Sequence, residues 1–362
     1  MTMIKHLYIH VPFCSNICGY CDFAHVIINK ELVSKYLSSL KEDLNNLPFS
    51  NYETIYIGGG TPSSLEYNDL KTLLELIKPY TNSVIEYTVE VNPDSIDENK
   101  IKLLKENGVN RVSIGVQSTD DYLLKIMNRK HDFDTVKNAV SCFKNNGINN
   151  ISVDLMYSLP FQTMDILKKS IKDILSLDIK HISIYSLTIE ENTIFKRKGY
   201  SNLDEDVEAD MYEYIEKELN SNNFIHYEIS NFSKNGYESK HNLGYWEYDD
   251  FISLGPGAAS KVRNHRYTYT KNVRDYLNNK TLIEDIYLDN DDLAFENVMM
   301  SLRTIFGLDL EKFYSRYHLD FKERYKEAIA KNSDHLIFKD NHCICNDLEI
   351  LNTILVDFMD WF

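Results

Sequence analysis

A partial (β/α)6, TIM-like barrel followed by a small C-terminal helical, winged-helix-like module is the α/β architecture that this 362-residue sequence predicts. Three observations predict it. Six short β-branched or aromatic runs alternate with helix-length amphipathic stretches over the first two-thirds of the chain, the rhythm of βα units in a parallel sheet. The residues able to do chemistry follow those runs, toward the C-terminal ends of the strands, where such barrels build their sites. From about residue 290 the rhythm changes to helices and a hairpin.

The elements follow in order. The first strand is read over 7–13 and the first helix over 31–47. Strand 53–57 precedes helix 67–77, strand 86–91 precedes helix 97–107, and strand 111–116 precedes helix 133–146. Strand 151–157 precedes helix 164–177, and 181–187 is the sixth strand. Gly108 and Gly147 stop two of these helices just before the next strand, as C-terminal caps should. A further strand over 224–229 extends the sheet. In the C-terminal part, apolar residues at helical spacing over 293–302 lead into 307–313, and a second helix pattern covers 321–330. Residues 336–344 then read as a hairpin turning at Asp340-Asn341, and 348–359 as a closing helix. The chain thus divides into a barrel with its extension, 1–285, and a module, 286–362. The polar stretch 267–292 is the connection.

Directly after the first strand stand Cys14, Cys18 and Cys21, spaced C-x3-C-x2-C, with Tyr20 just before the last. Three thiolates cannot close the four-thiolate shell of an electron-transfer cluster, but they suit a four-iron cluster that leaves one iron free for another ligand. A zinc ion completed by His25, or chance proximity, also fits the three residues alone. The spacing resembles the radical S-adenosylmethionine (radical-SAM) signature, which implies a [4Fe-4S] cluster on these cysteines whose free iron chelates the amino and carboxylate groups of SAM. Cys142 lies in a helix pattern, and Cys343 and Cys345 lie in the hairpin; all three read as packing residues.

Gly58-Gly-Gly-Thr-Pro-Ser63 follows the second strand. Glycines there let backbone approach a ligand closely, and they serve equally well in an ordinary strand-to-helix turn. Glu90 and Gln117 end the third and fourth strands and, on strict alternation, point into the barrel mouth with Asp154. Arg129 completes a polar ring there, or is a solvent-facing charge; Asp154 is equally readable as a buried partner of a helix terminus. Several segments together resemble the oxygen-independent coproporphyrinogen III oxidase group. They are Tyr8 with His10-Val-Pro-Phe-Cys14, the 58–63 segment, Glu90-Val-Asn-Pro93, Arg111 to Ser118 and Asp154-Leu-Met-Tyr-Ser-Leu-Pro160. The likeness covers nearly the whole chain and implies that Tyr8, Tyr20, Gly59, Gly60, Thr61, Glu90, Gln117, Arg129 and Asp154 line the SAM pocket.

That group has two branches, an oxidase that decarboxylates two propionates of coproporphyrinogen and a HemW-type branch of heme chaperones. The oxidase carries a further cysteine two positions after the third, where this chain has Phe23, and a long N-terminal extension for which Tyr8 leaves no room. His241-Asn-Leu-Gly-Tyr-Trp246 resembles the chaperones' H-N-x-x-Y-W heme motif, which implies His241 as an iron ligand beside the flat faces of Tyr245 and Trp246. From the residues alone, a loop packing two aromatics with a hydrogen-bonded histidine reads equally well. The family's G-x-G-A-H segment is here Gly255-Pro-Gly-Ala-Ala259, so a second motif histidine is absent. The resemblance implies a heme chaperone that hands heme to an acceptor protein, a membrane-bound respiratory protein being one kind of acceptor. The enzyme alternative is radical decarboxylation of porphyrinogen propionates.

Composition agrees. Hydrophobic content of 43% supports a large core, and no stretch is long and apolar enough to span a bilayer. The opening Met-Thr-Met-Ile-Lys-His lacks a signal peptide's apolar run, and clustered cysteines fit a reducing compartment, so a cytoplasmic protein is expected. A net charge of −16 repels phosphate backbones, which argues against a nucleic-acid partner. One local run, Lys261-Val-Arg263-Asn-His265-Arg266, is basic and able to meet carboxylates, although such runs are more often a solvated face.

Overall fold

Six parallel strands form where the β-branched runs lie: β1 His6–Val11, β2 Thr54–Gly59, β3 Glu86–Val91, β4 Arg111–Gln117, β5 Asn150–Tyr157 and β6 His181–Ser186. The structure, a computed structural model, describes residues 4–47 and 51–359. Residues 1–3, where the reading of a leaderless N-terminus begins, lie outside the described residues. Neighbouring strands pair in sequence order, β1 to β6. Between them run the helices α1 Lys30–Asn45, α2 Tyr67–Ile77, α3 Glu98–Glu106, α4 Phe133–Asn145 and α5 Met164–Leu175. Asn29, Asp97, Asp132 and Thr163 begin four of these by accepting backbone N–H bonds on their side chains. Gly108 and Gly147, at φ 89° and 77°, turn the chain off α3 and α4 as expected.

Alternation along the strands separates two chemistries. Leu7, Ile9, Val11, Ile55, Ile57, Val89, Val112, Ile114, Val116, Ile151 and Val153 are all at most 1% exposed and belong to one apolar cluster with the helices. The intervening residues, among them Tyr8, Tyr56, Thr88, Glu90, Ser113 and Asp154, form the other face and are polar. Both faces are covered, so these strands carry few exposed residues. In a flat sheet β2 and β6 would stand about 19 Å apart. Here Gly59 of β2 and Tyr185 of β6 line one cavity, so the sheet curls and its polar face becomes the lumen. The barrel stays open, because the sheet has two edges.

Those edges depart from the sequence expectations. Helix α6, Glu205–Ser221, leads to β7 Ile225–Glu228 and β8 Asn231–Ser233. Strand 224–229 was expected to extend the sheet, and it does so only through β8, which pairs antiparallel with β6. After helix α7, Lys240–Trp246, the short strand β9 Phe251–Leu254 lies parallel to β1 on its other side and is a seventh parallel strand. Strands β10 Ala259–Val262, β11 His265–Tyr269 and β12 Leu282–Tyr287 continue from it as an antiparallel meander. The polar connection expected over 267–292 is thus built of sheet, a helix Val273–Asn279 and a final edge strand.

Beyond it, α8 Asn290–Ser301 opens with an Asp289–Asp292 capping box and packs Leu293, Val298 and Leu302 with Phe313, Phe321 and Phe358 in a second apolar cluster. Three strands complete this part: β13 Leu308–Asp309, β14 Leu336–Lys339 and β15 His342–Cys345. The β14–β15 hairpin turns at Asp340 and Asn341, both left-handed (φ 48° and 64°), as the sequence predicts. The helix expected over 321–330 breaks at Tyr325, and the closing helix is only Leu351–Val356. Tyr248, just past α7, is buried in this second cluster and joins it to the barrel.

Candidate functional site

Backbone contacts hold the cysteine loop. Phe13–Cys14 pairs with Val26–Ile27, closing the loop at its base. Gly19 donates to the Met127 carbonyl at 2.9 Å and accepts from Phe195 N at 2.8 Å. A Cβ on Gly19 would stand 2.5 Å from the Phe195 ring, so this crossing requires glycine. Asn128, itself left-handed, ties the loop's other side by donating to the Ile17 carbonyl at 2.7 Å.

The three cysteines line a cavity of about 500 Å³ at the C-terminal ends of β2 to β6. Thr61 Oγ1 lies 3.8 Å from Cys14 Sγ and Arg129 Nη1 lies 3.5 Å from Cys18 Sγ. Burial pushes the Cys14 thiol up to about 12, against the hydrogen bond from Thr61, and the Cys21 thiol up to about 11, against a backbone hydrogen bond at Phe23. Such thiols ionise as a metal binds and displaces their protons. Among the described residues no three His, Cys, Asp or Glu side chains converge as ligands of one ion. His25 Nδ1 lies 2.6 Å from the Phe23 carbonyl and 3.7 Å from Cys21 Sγ, so His25 stands at the edge of the cysteine group with one nitrogen engaged by backbone. Thiols spread around a cavity wall fit a cluster with several irons.

The polar ring is built beside them. Gly59 (φ 110°) donates its N–H to Glu90 Oε2 at 2.9 Å, and Tyr56 donates its hydroxyl to Glu90 Oε1 at 2.8 Å. A Cβ on Gly60 would stand 2.8 Å from the Phe13 carbonyl oxygen, so the glycine segment lies flat against the cysteine strand. Burial, reinforced by the nearby Asp154, pushes the Glu90 carboxyl up to about 7; its two hydrogen bonds resist. Asp154 accepts from Ser113 Oγ at 2.9 Å and is itself raised by burial. Arg129 donates to Asn92 Oδ1 at 3.1 Å and to the Gly115 carbonyl. Gln117 Oε1 and Arg129 Nε are buried without partners, an unsatisfied acceptor and donor in residues that line the cavity. These orphaned groups fit a polar organic ligand beside the cluster.

The cavity thus gathers Cys14, Cys18, Cys21, Tyr20, Gly59, Gly60, Thr61, Glu90, Gln117, Arg129 and Asp154. Tyr8 is a correction. It does not line the cavity; its hydroxyl lies 3.1 Å from His10 Nδ1, beneath Glu90 and against Tyr56. Asn92, which closes the third strand, lines the cavity too, and sequence reading missed Met156 and Tyr185. Register carried the signal, since Met156 pairs with Tyr185 two residues above Asp154 and Ser183 on the same face.

His241, Tyr245 and Trp246 stand apart from this cavity. They lie at the other end of the barrel, where α7 plugs the N-terminal ends of β1, β2 and β3. Glu86 accepts the backbone N–H groups of Lys240 (2.9 Å) and His241 (3.0 Å), a carboxylate on a helix N-terminus. His241 is 1% exposed, with Nδ1 2.7 Å from Thr54 Oγ1 and Nε2 2.8 Å from Tyr245 OH. Burial, with His6 and Arg111 nearby, keeps its ring neutral. In this conformation neither nitrogen is free for iron, and Tyr245 is spent on His241. His241→Ala is expected to lower stability by about 3 kcal/mol, since it empties a packed site and strands the Tyr245 hydroxyl, while Thr54 keeps His6 as a partner. Thermal unfolding of the variant at the wild-type midpoint would show that this packing carries no weight.

Residues 8–174 match the Radical SAM superfamily and residues 288–346 the HemN C-terminal domain. The chain is 36% identical to the heme chaperone HemW of Lactococcus lactis, over 97% of this chain and 96% of that one. It is 38% identical to the heme chaperone HemW of Bacillus subtilis, over 92% and 95%. Against the same-named protein of Escherichia coli it is 33% identical, over 83% and 82%. The structure of coproporphyrinogen III oxidase (HemN) from Escherichia coli superposes with a TM-score of 0.85, covering 99% of this chain and 90% of that one at 19% identity, a likeness of fold.

Proposed function

The chain belongs to the heme chaperone HemW family, with a radical SAM domain, and from that premise we propose that it binds heme and delivers it to an acceptor protein in the cytoplasm or at a membrane. No helix among the described residues is long and apolar enough to cross a membrane. The observation that carries the reading is likeness to relatives named heme chaperones along almost the full length of both chains. Absorbance titration of the anaerobic protein with heme tests it, with saturation near one heme per chain as the expected result and no saturable spectral change as the contrary one.

The oxidase reading rests on fold alone, and the cavity's charges oppose it. Coproporphyrinogen carries four carboxylates. Arg129 and Lys271 are the cations lining this cavity; Arg129 is held by Gly115, Asn92 and Cys18, and Lys271 pairs with Asp22 at 2.7 Å. Glu190, and Glu90 and Asp154 in their ionised forms, line it too and repel further carboxylates.

Cys14, Cys18 and Cys21 would hold a [4Fe-4S] cluster, and the glycine segment with Thr61, Glu90, Gln117 and Arg129 would seat SAM. A cluster of this kind supplies an open iron site that chelates SAM. The protein's own part is to bind and orient. Ionised Glu90 accepts hydrogen bonds from a ligand's ammonium or hydroxyl groups, whereas protonated Glu90 competes for them. With its carboxyl near 7, SAM affinity should rise up to about ten-fold between pH 6 and pH 8, and Glu90→Gln should flatten that slope. The same raised value works against the fold. Folded Glu90 keeps a proton that an unfolded glutamate has lost, so stability from this group falls as pH rises from about 4.5 to about 7. Calorimetric titration at several pH values checks the binding slope; an equal slope in Glu90→Gln would assign it to another group.

A further inference from the structure

On the flank of the barrel opposite the cluster, where α7 ends, a second cavity of about 490 Å³ opens between β1, β10 and the C-terminal helix Leu310–Tyr317. Its lining reverses the sign of the chain, which carries −16 overall. Five cations line it, Lys5, Lys261, Arg263, Lys312 and Arg316, against the two carboxylates Asp249 and Asp250. Three of the cations share one of those carboxylates: Lys5 stands 3.9 Å and Lys312 3.3 Å from Asp249, and Arg316 bonds it directly. A single carboxylate neutralises one charge, and Glu53 and Glu247 reach only Lys5 and Lys312, from outside the lining.

Lys261 is buried, 2.8 Å from Asp250 and 4.1 Å from the centre of the Tyr248 ring, so the floor is fixed. Arg263 is different. Its backbone is left-handed at φ 55°, an unusual state for an arginine, and is held there by its N–H donating to Asp250 Oδ2 at 3.0 Å. The residue lines the cavity, and its guanidinium makes no ion pair among the described residues. Tyr248 and Tyr317 add flat apolar surface. The basic run that reads in sequence as a solvated face is thus split. Lys261 and Arg263 turn into this cavity, while Arg266 pairs with Glu296 outside it at 2.6 Å.

We propose that this cavity is an anion-recognition site whose ligand is the propionate edge of the tetrapyrrole, Arg263 supplying the forked, charge-assisted contact. The identity of the ligand rests on the heme-chaperone reading; the preference for paired oxyanions rests on the cavity itself. The volume is that of a small-molecule site, and it lies two residues beyond Trp246, so the heme-motif helix leads into it without lending it His241 as a ligand.

The test compares heme with heme dimethyl ester, and adds pyrophosphate as a probe that is not a tetrapyrrole, on the full chain and on Arg263→Glu and Lys312→Gln. Arg263 is exposed and unpaired, so its replacement leaves the fold intact; unchanged thermal midpoints check this for both variants. The expected result is heme affinity about ten-fold or more weaker in Arg263→Glu, with added salt weakening the wild type toward it. The ester should bind weakly to both and be indifferent to the substitution. Heme bound equally by wild type and both variants overturns the inference and leaves the chaperone reading standing. If the wild type binds no heme, the chaperone reading fails and the tetrapyrrole assignment falls with it. Pyrophosphate raising the midpoint of wild type but not of Arg263→Glu then keeps an anion site, and no such rise removes that too.

Discussion

Replacing Cys14, Cys18 and Cys21 together by alanine should remove all bound iron, while replacing Cys142, Cys343 or Cys345 should remove none. The three former thiols face one cavity beside Thr61 and Arg129. Cys343 and Cys345 are buried in the apolar cluster of the C-terminal hairpin, and Cys142 sits on α4 with its thiol against Asn146. After anaerobic reconstitution the wild type should hold about four irons per chain. The electron-spin signal of its reduced cluster should change on adding SAM, because three thiolates leave one iron a free coordination position. Iron retained by the triple variant, or a signal indifferent to SAM, would be incompatible with this site. The cavity's partners predict a graded series as well. Arg129 touches Cys18, so Arg129→Ala should disturb the cluster signal more than Gln117→Ala, which contacts no thiol.

Most of this mouth was legible in sequence because parallel strands with both faces buried carry unambiguous runs, and because the chemistry sits where the strands end. Cys14, Gly59, Glu90, Gln117 and Asp154 could be ordered along five successive strand ends before any coordinates, and register brings them together. Tyr8 illustrates the limit of that approach. It lies on the lumen face as alternation requires, yet two residues too deep along β1 to reach the cavity, and depth along a strand is set by stagger between neighbours rather than by period.

The sheet edges were not legible for a different reason. β9 is four residues long and stops at Gly255, whose φ of 113° and close approach to the His10 carbonyl no side chain would allow. A four-residue run beside Gly-Pro-Gly reads as loop, and only pairing with β1, some 245 residues earlier in the chain, makes it a strand. The edge strand β12 is exposed at every position, so it lacks the alternation that marks a half-buried strand. Likewise, nothing local to His241 reveals Thr54, which comes from a strand 187 residues away in sequence.

The polar lumen gives the molecule two ends with opposite electrostatics. At the cluster end, acidic groups dominate and both lining cations are engaged. At the flank beyond α7, cations exceed carboxylates. A carboxylate-bearing tetrapyrrole is therefore favoured away from the cluster and disfavoured beside it, which separates heme carriage from radical chemistry on its propionates.

That separation is measured most directly by incubating the reconstituted, heme-binding protein anaerobically with coproporphyrinogen, SAM and a reductant, and analysing the porphyrinogens by chromatography. The account predicts that heme binds and that coproporphyrinogen is recovered with all four carboxylates. Accumulation of protoporphyrinogen at a rate that depends on SAM and on Cys14, Cys18 and Cys21 would contradict it and make the protein an oxidase.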